Sequence, residues 1–182
     1  MFSVVNDLVY DGLMINEVPR ELARKFAEDF PQLPGSKWID VVPRESKGHW
    51  IPDEGEQVGR ILDVLDRLHF DMSQAMVIGP FRDVAGGIKR YARGRRGLVT
   101  GTIHTAQGKQ ADIVILVLGG DPGRPAARRW AADNRNLVNV AVSRARRRLY
   151  VIGDWSAWNQ GDFGVLARRL LRSPALHAGK SP

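Results

Sequence analysis

The sequence predicts an α/β domain in which a mostly parallel sheet is covered by helices on both faces. Segments with strand-like and helix-like periodicity alternate along the 182 residues, which is typical of parallel strands joined by crossover helices. Residues 113–118 are apolar throughout, as expected for a strand buried on both faces. We therefore expect one packed domain over residues 1–172 and a flexible tail over residues 173–182.

The first half of the chain predicts a helix, a strand and a longer helix. Residues 19–30 carry apolar positions at helical spacing, after a proline suited to a first turn. Residues 38–42 have the composition of a strand. Apolar residues from Val58 to Leu68 then trace one face of a helix that Asp53 and Glu54 open. The order is that of a strand-helix unit.

The second half continues the alternation. Strands are predicted at 76–81, 98–103, 113–118 and 149–153, and helices at 84–93, 136–147 and 163–171. The connection between the strands at 98–103 and 113–118 is shorter than the dozen or so residues that a parallel crossover between neighbours needs. These two strands either pair antiparallel or are not neighbours. Residues 119–125 predict a surface loop.

The charge balance favours a polyanionic partner. Lys and Arg number 27 against 20 for Asp and Glu, a formal net charge of +7, which suits nucleic acid but also serves solubility. The sequence has no cysteine, which excludes disulfides, thiolate metal sites and cysteine nucleophiles, and its scattered histidines predict no metal site. No signal peptide or membrane span is expected. We expect a cytoplasmic protein without a membrane partner.

One polar stretch, residues 99–118 (VTGTIHTAQGKQADIVILVL), has the composition of a binding site. Thr102, His104, Thr105 and Gln107 follow a predicted strand, and α/β sheets place ligands at strand ends. Gly108 would let a backbone N–H approach a phosphate closely. The alternative is a simple polar turn between two strands.

A second stretch, residues 136–154, contains a half-buried arginine on a predicted amphipathic helix. Arg144 falls at the edge of the apolar face formed by Leu137, Val138, Ala141 and Ala145. A guanidinium in that position needs an anion, because an unpaired charge in low dielectric is costly. An internal salt bridge or a snorkelling side chain would satisfy it equally well. The run from Arg146 to Arg148 predicts solvated or phosphate-contacting charge.

In this order and separation, the two stretches resemble motifs V and VI of superfamily 1 helicases, in the group of the nonsense-mediated-decay RNA helicase. Motif V corresponds to residues 102–110 (TIHTAQGKQ) and motif VI to residues 139–146 (NVAVSRAR). Residues 77–82 (VIGPFR) resemble motif IV, and residues 2–14 are similar to the segment that opens this domain in the family. The resemblance covers roughly residues 1–160.

This resemblance implies a RecA-like, P-loop NTPase-type fold and a share in an ATP site. ATP with Mg²⁺ would be clamped against an N-terminal RecA-like Walker A domain, in the same gene or a separate chain. The arginine finger on the γ-phosphate would be Arg144. The resemblance places Gln107, Gly108 and Gln110 with Arg144 at the nucleotide, and Thr102, His104, Thr105 and Arg82 on single-stranded DNA or RNA.

Two departures from the family pattern matter. Gln110 stands where the family commonly has a glutamate associated with the ribose, which puts nucleotide preference in question. The chain also has no G-x-x-x-x-G-K-[ST] loop: residues 179–181 imitate its end, but Pro174 occupies the place of the first glycine. Asp53 and Glu54 follow no buried strand and are not expected to bind magnesium. We therefore expect the chain alone to be inactive. The alternative is a non-catalytic nucleic-acid-binding or regulatory module derived from a helicase.

Aromatic and basic residues outside the motifs leave further alternatives. A basic cluster surrounds Tyr91 and could follow a phosphate backbone or be a solvated helix end. Trp38 is expected in the core, and Trp155 and Trp158 against the closing helix. The members of the basic cluster are Lys89, Arg90, Arg93, Arg95 and Arg96.

Overall fold

The computed structural model describes residues 20–174, and its centre is a six-stranded sheet. The strands are β1 (Lys37–Asp40), β2 (Ala75–Gly79), β3 (Val99–Thr102), β4 (Ala111–Val117), β5 (Ala145–Gly153) and β6 (Leu171–Pro174). Across the sheet their order is β3-β2-β4-β5-β1-β6, and all neighbours pair in parallel. Every residue of β2 is buried, and so is every residue of β4 except Asp112, so helices and loops cover both faces.

The described helices form two packed groups. They are α1 (Arg20–Asp29), α2 (Pro52–Arg67), α3 (Arg82–Ala92), α4 (Pro125–Ala132), α5 (Arg135–Ser143), α6 (Trp155–Trp158) and α7 (Gly161–Arg169), with 3-10 helices at Met72–Gln74 and His104–Ala106. Helix α2 packs against α3, and α7 packs against α4, α5 and α6. The predicted class, an α/β sheet of RecA-like type with helices on both faces, is confirmed.

The short connection between β3 and β4 is explained by the strand between them. Both strands pair in parallel with β2, so they are not neighbours and need no long crossover helix. Instead the chain turns at the end of β3, where the Ile103 N–H donates to the Gly79 carbonyl over 2.9 Å. It then returns past the sheet with Ile103 and Ala106 buried.

The predicted helix over 136–147 is too long. Helix α5 ends at Ser143, and Ala145 already belongs to β5, in register with Ala111 of β4. The expected place of Ala145 on the apolar face of a helix is therefore wrong. Alanine and arginine favour helices locally, but pairing with a buried neighbouring strand outweighs that preference.

Two further elements were not predicted. Helix α4 follows the expected loop at 119–125 and has a proline in its first turn, a signal that the sequence carried. Strand β6 pairs with β1 and includes Ser173 and Pro174, so the predicted tail begins two residues too early and the closing helix ends at Arg169. Residues 1–19, with the opening segment 2–14, and residues 175–182 lie outside the described part of the chain.

The tryptophans divide largely as expected. Trp38 is fully buried, and Trp158 packs edge-on against Phe163 of α7 at 5.2 Å between ring centroids. Trp155 instead packs on Trp38 at 5.4 Å, so its predicted contact with the closing helix is replaced by one with β1. Among residues 20–174, no helix is long and apolar enough to cross a bilayer.

A buried indole explains the paired glycines of α3. Trp50 lies between α2 and α3, and a Cβ atom on either Gly55 or Gly87 would overlap its ring. Gly86, one residue earlier, has open space around it. Gly87 is therefore needed for the close packing of the two helices, and Gly86 is not.

Candidate nucleotide and nucleic-acid site

The motif V segment begins with a tight turn at the carboxyl end of β3. The Thr105 hydroxyl donates to the Thr102 carbonyl over 2.8 Å, and the Thr105 N–H donates to the Thr102 hydroxyl oxygen over 3.3 Å. The Thr102 hydroxyl keeps its own proton free to donate. Thr105 and His104 are exposed and Thr102 is half-buried, so the three nucleic-acid residues predicted in motif V all reach the surface.

The segment ends in a second turn beside motif VI. Gly108 has φ +80°, a left-handed conformation that favours glycine, and a Cβ there would meet nothing within 4 Å. The turn closes with the Lys109 N–H donating to the Ala106 carbonyl over 3.1 Å. Open space above a glycine backbone is what close approach of a phosphate requires.

Arg144 caps α5 and is held by neutral oxygens. Its Nε donates to the Val140 carbonyl (3.1 Å), Nη1 to the Lys109 carbonyl (3.2 Å) and Nη2 to the Ser143 hydroxyl (2.9 Å). Within the part of the chain that the structure describes, no carboxylate lies within 4.0 Å of this guanidinium. The internal salt bridge considered from the sequence is therefore not formed there. A half-buried, oriented guanidinium without a counter-ion is suited to bind an anion.

Gln110 also lies against motif VI, whereas Gln107 lies further along the turn. The Gln110 side-chain amide donates to the Ser143 carbonyl over 3.5 Å, a long contact, and the Ala111 N–H donates to the Arg144 carbonyl over 3.0 Å. Gln107 closes the 3-10 helix through its backbone, and its side chain is exposed. The structure thus brings Gly108, Gln110 and Arg144 together.

The predicted site residues form two groups at opposite edges of the sheet. Gln110 and Arg144 directly precede β4 and β5 at the amino edge. Thr102 ends β3 at the carboxyl edge, and exposed Arg82 begins α3 just beyond the carboxyl end of β2. Gln110 precedes the seven-residue strand β4 and Thr102 is level with its carboxyl end, so the two groups are separated by about 20 Å of strand. Residues 103–110 are the covalent link between the two groups.

The neighbouring arginines of motif VI have internal partners. Arg146 forms an ion pair with Asp112 over 3.0 Å and contacts the Gln74 side chain. Arg147 lies 3.9 Å from Asp112, and the Arg148 guanidinium stacks over the Phe26 ring at 5.1 Å. The expectation that this run is solvated or phosphate-contacting is therefore wrong for half-buried Arg147 and Arg148, which pack against their neighbours, whereas Arg146 is exposed as well as paired.

The basic cluster around Tyr91 is partly structural. Arg95 binds Asp63 over 2.6 Å and Asp66 over 2.8 Å, and Arg90 lies over the Trp50 ring. Tyr91 packs tilted against Trp50 and is half-buried, which raises the pKa of its hydroxyl through desolvation. These residues join α2 to α3. Lys89, Arg93 and Arg96 are exposed.

A buried carboxyl group, which the sequence did not mark as special, clamps the loop after β4. Glu54 is 1 % exposed, and its Oε2 accepts from the Gly119 N–H over 2.7 Å. Desolvation, helped by the nearby charges of Asp154 and Asp53, raises the pKa of Glu54 to about 8, against the hydrogen bond from Gly119, which lowers it. Only its place in the first turn of a predicted helix was visible beforehand.

Its neighbour Asp53 behaves oppositely. Burial alone would raise the pKa of Asp53, but hydrogen bonds and charge from Arg44 lower it below the usual value. The Arg44 N–H donates to Asp53 over 2.9 Å and the guanidinium binds the same carboxylate. In residues 20–174 no group of three or more His, Cys, Asp or Glu side chains is arranged to hold a metal ion.

Comparison with known proteins gives a family match. A family model described as an AAA domain matches residues 2–156. The structure is similar to that of the C-terminal domain of a possible DNA helicase from Lactobacillus plantarum WCFS1, with a TM-score of 0.49 and 16 % identity, covering 85 % of this chain and 95 % of that one. No curated protein sequence matches.

Proposed function

Since the chain belongs to this family of AAA domains, we propose that it is the C-terminal motor domain of an ATP-dependent superfamily 1 nucleic-acid helicase. It supplies the arginine finger and part of the single-strand surface, and an N-terminal Walker A domain completes the ATP site. The observation that carries the proposal is Arg144, whose oriented guanidinium has only neutral partners among the described residues.

The residues at the amino edge fit a nucleotide phosphate. Arg144 offers a positive charge that is not neutralised by a described carboxylate, and Gly108 leaves room for a close backbone approach. Gln110 offers an amide where the family has a carboxylate, so it accepts a ribose hydrogen bond without adding negative charge. Bound ATP with Mg²⁺ supplies the phosphoanhydride whose hydrolysis drives movement. Arg144 stabilises the charge that develops in that step.

The residues at the carboxyl edge fit a strand backbone. Thr102 and Thr105 present hydroxyls, His104 an imidazole and Arg82 a positive charge. Such groups position phosphates without reading bases. Closure of the two domains on ATP and reopening after hydrolysis would shift the strand relative to this edge.

The test is single-strand-stimulated ATP hydrolysis by the chain alone, and by the chain mixed with or fused to its Walker A domain. We expect activity only in the combination. Arg144→Ala in the combination should lower kcat by about 10³-fold or more, as loss of an arginine finger does. Arg146→Ala is the matched control, because this arginine pairs with Asp112, and it should keep most of the activity. Near-normal turnover of Arg144→Ala would refute the assignment.

Exposed Arg82 and the hydroxyls of Thr102 and Thr105 at the carboxyl edge would serve equally well in one alternative, a non-catalytic nucleic-acid-binding or regulatory module. Such a module would bind single strands with an affinity that falls steeply with salt, through counter-ion release. The affinity of such a module for single strands would not change on addition of ATP, whichever partner domain is present. The same hydrolysis and binding measurements therefore separate the two functions.

A further inference from the structure

One tryptophan is turned outward on a helix that belongs to none of the motifs. Trp130 on α4 is 56 % exposed, whereas Trp38, Trp50 and Trp158 are buried and Trp155 packs on Trp38. An exposed indole costs solvation free energy that burial would recover. A single exposed apolar residue is common on protein surfaces, so the charges around the ring decide whether it suits a partner.

The charges around this indole favour an anionic partner. Arg128 and exposed Arg129 are on α4 with Trp130, and within residues 20–174 neither has a carboxylate within 4.0 Å. Arg124, just before the helix, is paired with Asp121 over 3.5 Å. Helix α4 itself has no acidic residue, and the one carboxylate that directly follows it, exposed Asp133, is within 4.0 Å of neither arginine among the described residues. A flat aromatic ring beside unpaired arginines has the chemistry that binds a base and its phosphate.

The position of α4 connects it to the proposed strand surface. The sheet order β3-β2-β4 places the carboxyl ends of these strands side by side, with about 10 Å from β3 to β4. Thr102 ends β3, Arg82 follows β2, and the loop that leads into α4 follows β4. A single strand that contacts Thr102 after β3 and Arg82 after β2 would, if it continued across the sheet in the same direction, next reach the loop after β4 and then α4.

A protein partner fits this surface less well. An aromatic side chain buries about 150–250 Å², against about 800 Å² per partner in a stable protein interface. The other exposed residues of α4 are Pro125, Ala126 and Arg129, which add little apolar area. The isolated ring flanked by charge suits stacking on one base.

We propose that Trp130 is a base-stacking residue at one end of a single-strand track that runs along the carboxyl edge of the sheet, with Arg129 contacting a phosphate. The inference rests on the proposed function, because the track begins at the motif V residues. It adds a contact between motifs V and VI, in a helix that the sequence analysis did not predict.

The experiment measures binding of fluorescein-labelled oligothymidylates of several lengths to the full chain by anisotropy, over a series of salt concentrations. Trp130→Ala should weaken binding of the longer strands about 5- to 100-fold and leave the salt slope unchanged, because stacking involves no counter-ion. Trp130→Phe should recover most of the affinity. Arg129→Gln should reduce the salt slope by about one.

Leu22→Ala is the matched control, since Leu22 is an exposed apolar residue on α1, and its binding should equal that of the unmodified chain. Circular dichroism and thermal unfolding verify that each variant is folded. If Arg82→Ala weakens binding and Trp130→Ala does not, the stacking inference is overturned and the proposed function stands. If Trp130→Ala instead abolishes self-association at equal strand affinity, a second copy occupies this surface and the inference is also overturned. If the unmodified chain binds no strand, alone or with its Walker A domain, both proposals fail.

Discussion

Glu54→Gln should stabilise the protein at neutral pH and remove most of the pH dependence that Glu54 gives to the unfolding free energy. The carboxyl group of Glu54 is buried, and its pKa of about 8 lies about 3.5 above the ordinary 4.5. The folded state therefore holds a proton that the unfolded chain releases above pH 4.5. The stability that the protonated Glu54 carboxyl group permits is fully present below pH 4.5, and it is lost as the pH rises through 8.

The magnitude follows from the same two values. A tenfold change in a protonation equilibrium is worth about 1.4 kcal/mol. At pH 7 the unfolded carboxyl is ionised and must take up a proton on folding, which costs about 3 kcal/mol, and above pH 8 the cost approaches about 5 kcal/mol. Glutamine at position 54 is neutral and can still accept from the Gly119 N–H. We therefore expect the unfolding free energy of the Glu54→Gln variant to equal that of the unmodified chain at pH 4.5 and to exceed it by about 3 kcal/mol at pH 7.

The assay is urea unfolding at pH 5, 7 and 9, followed by the fluorescence of the buried tryptophans. Glu56→Gln is the matched control on the same helix, because Glu56 is half exposed and makes only long ion pairs with Arg44 and Arg60. Its effect should stay within about 1 kcal/mol. If the difference in unfolding free energy between Glu54→Gln and the unmodified chain is the same at pH 5, 7 and 9, Glu54 is not held protonated and the reasoning is refuted.

Packing gives two further predictions. Gly86→Ala should raise the unfolding free energy by about 0.5–1 kcal/mol, because alanine has a higher helix propensity than glycine. Gly87→Ala should lower it by about 1–3 kcal/mol, because the Trp50 ring must move. Urea unfolding of both variants measures these changes, and equal changes in the two variants would contradict the prediction. Tyr150→Phe should cost about 1–2 kcal/mol, because the buried Tyr150 hydroxyl donates to the Pro34 carbonyl over 2.8 Å, and an unchanged denaturation midpoint would show that water replaces the bond.

The elements that the sequence predicted are those whose periodicity and burial agree. The all-apolar run of β4 and the amphipathic face of α2 needed no tertiary information. The boundary at Ser143 did require it, because residues 145–147 have good helix propensity and become a strand through pairing with β4. Strand β6 was missed for a similar reason, since its four residues pair with β1 at the sheet edge.

The sequence predicted which residues belong to the site, but it did not predict how these residues are arranged in space. Motif spacing identified Arg144 and Gln110, but their positions beside each other depend on Gly108 turning the chain and on Ala111 pairing in register with Ala145. The resemblance distinguished Arg144 from Arg146, but the sequence did not show which of the two has an internal carboxylate partner. The difference between them is that Asp112 lies beside Arg146. Exposure of Trp130 was equally invisible, because five tryptophans look alike until packing distinguishes them.

The arrangement suggests how the proposed functions of the two edges would be coupled. Residues 103–110 are fixed at one end by the Thr102–Thr105 turn and at the other by the bond from Arg144 to the Lys109 carbonyl, with Ile103 and Ala106 buried between them. A packed segment transmits displacement better than a solvated loop. If Arg144 leaves the Lys109 carbonyl to bind a phosphate, that end of the segment loses one contact and keeps the bond from the Ala111 N–H to the Arg144 carbonyl. Movement of Arg144 would then pull on the segment through this bond, and the other end of the segment is the Thr102 turn, where the single strand is proposed to bind.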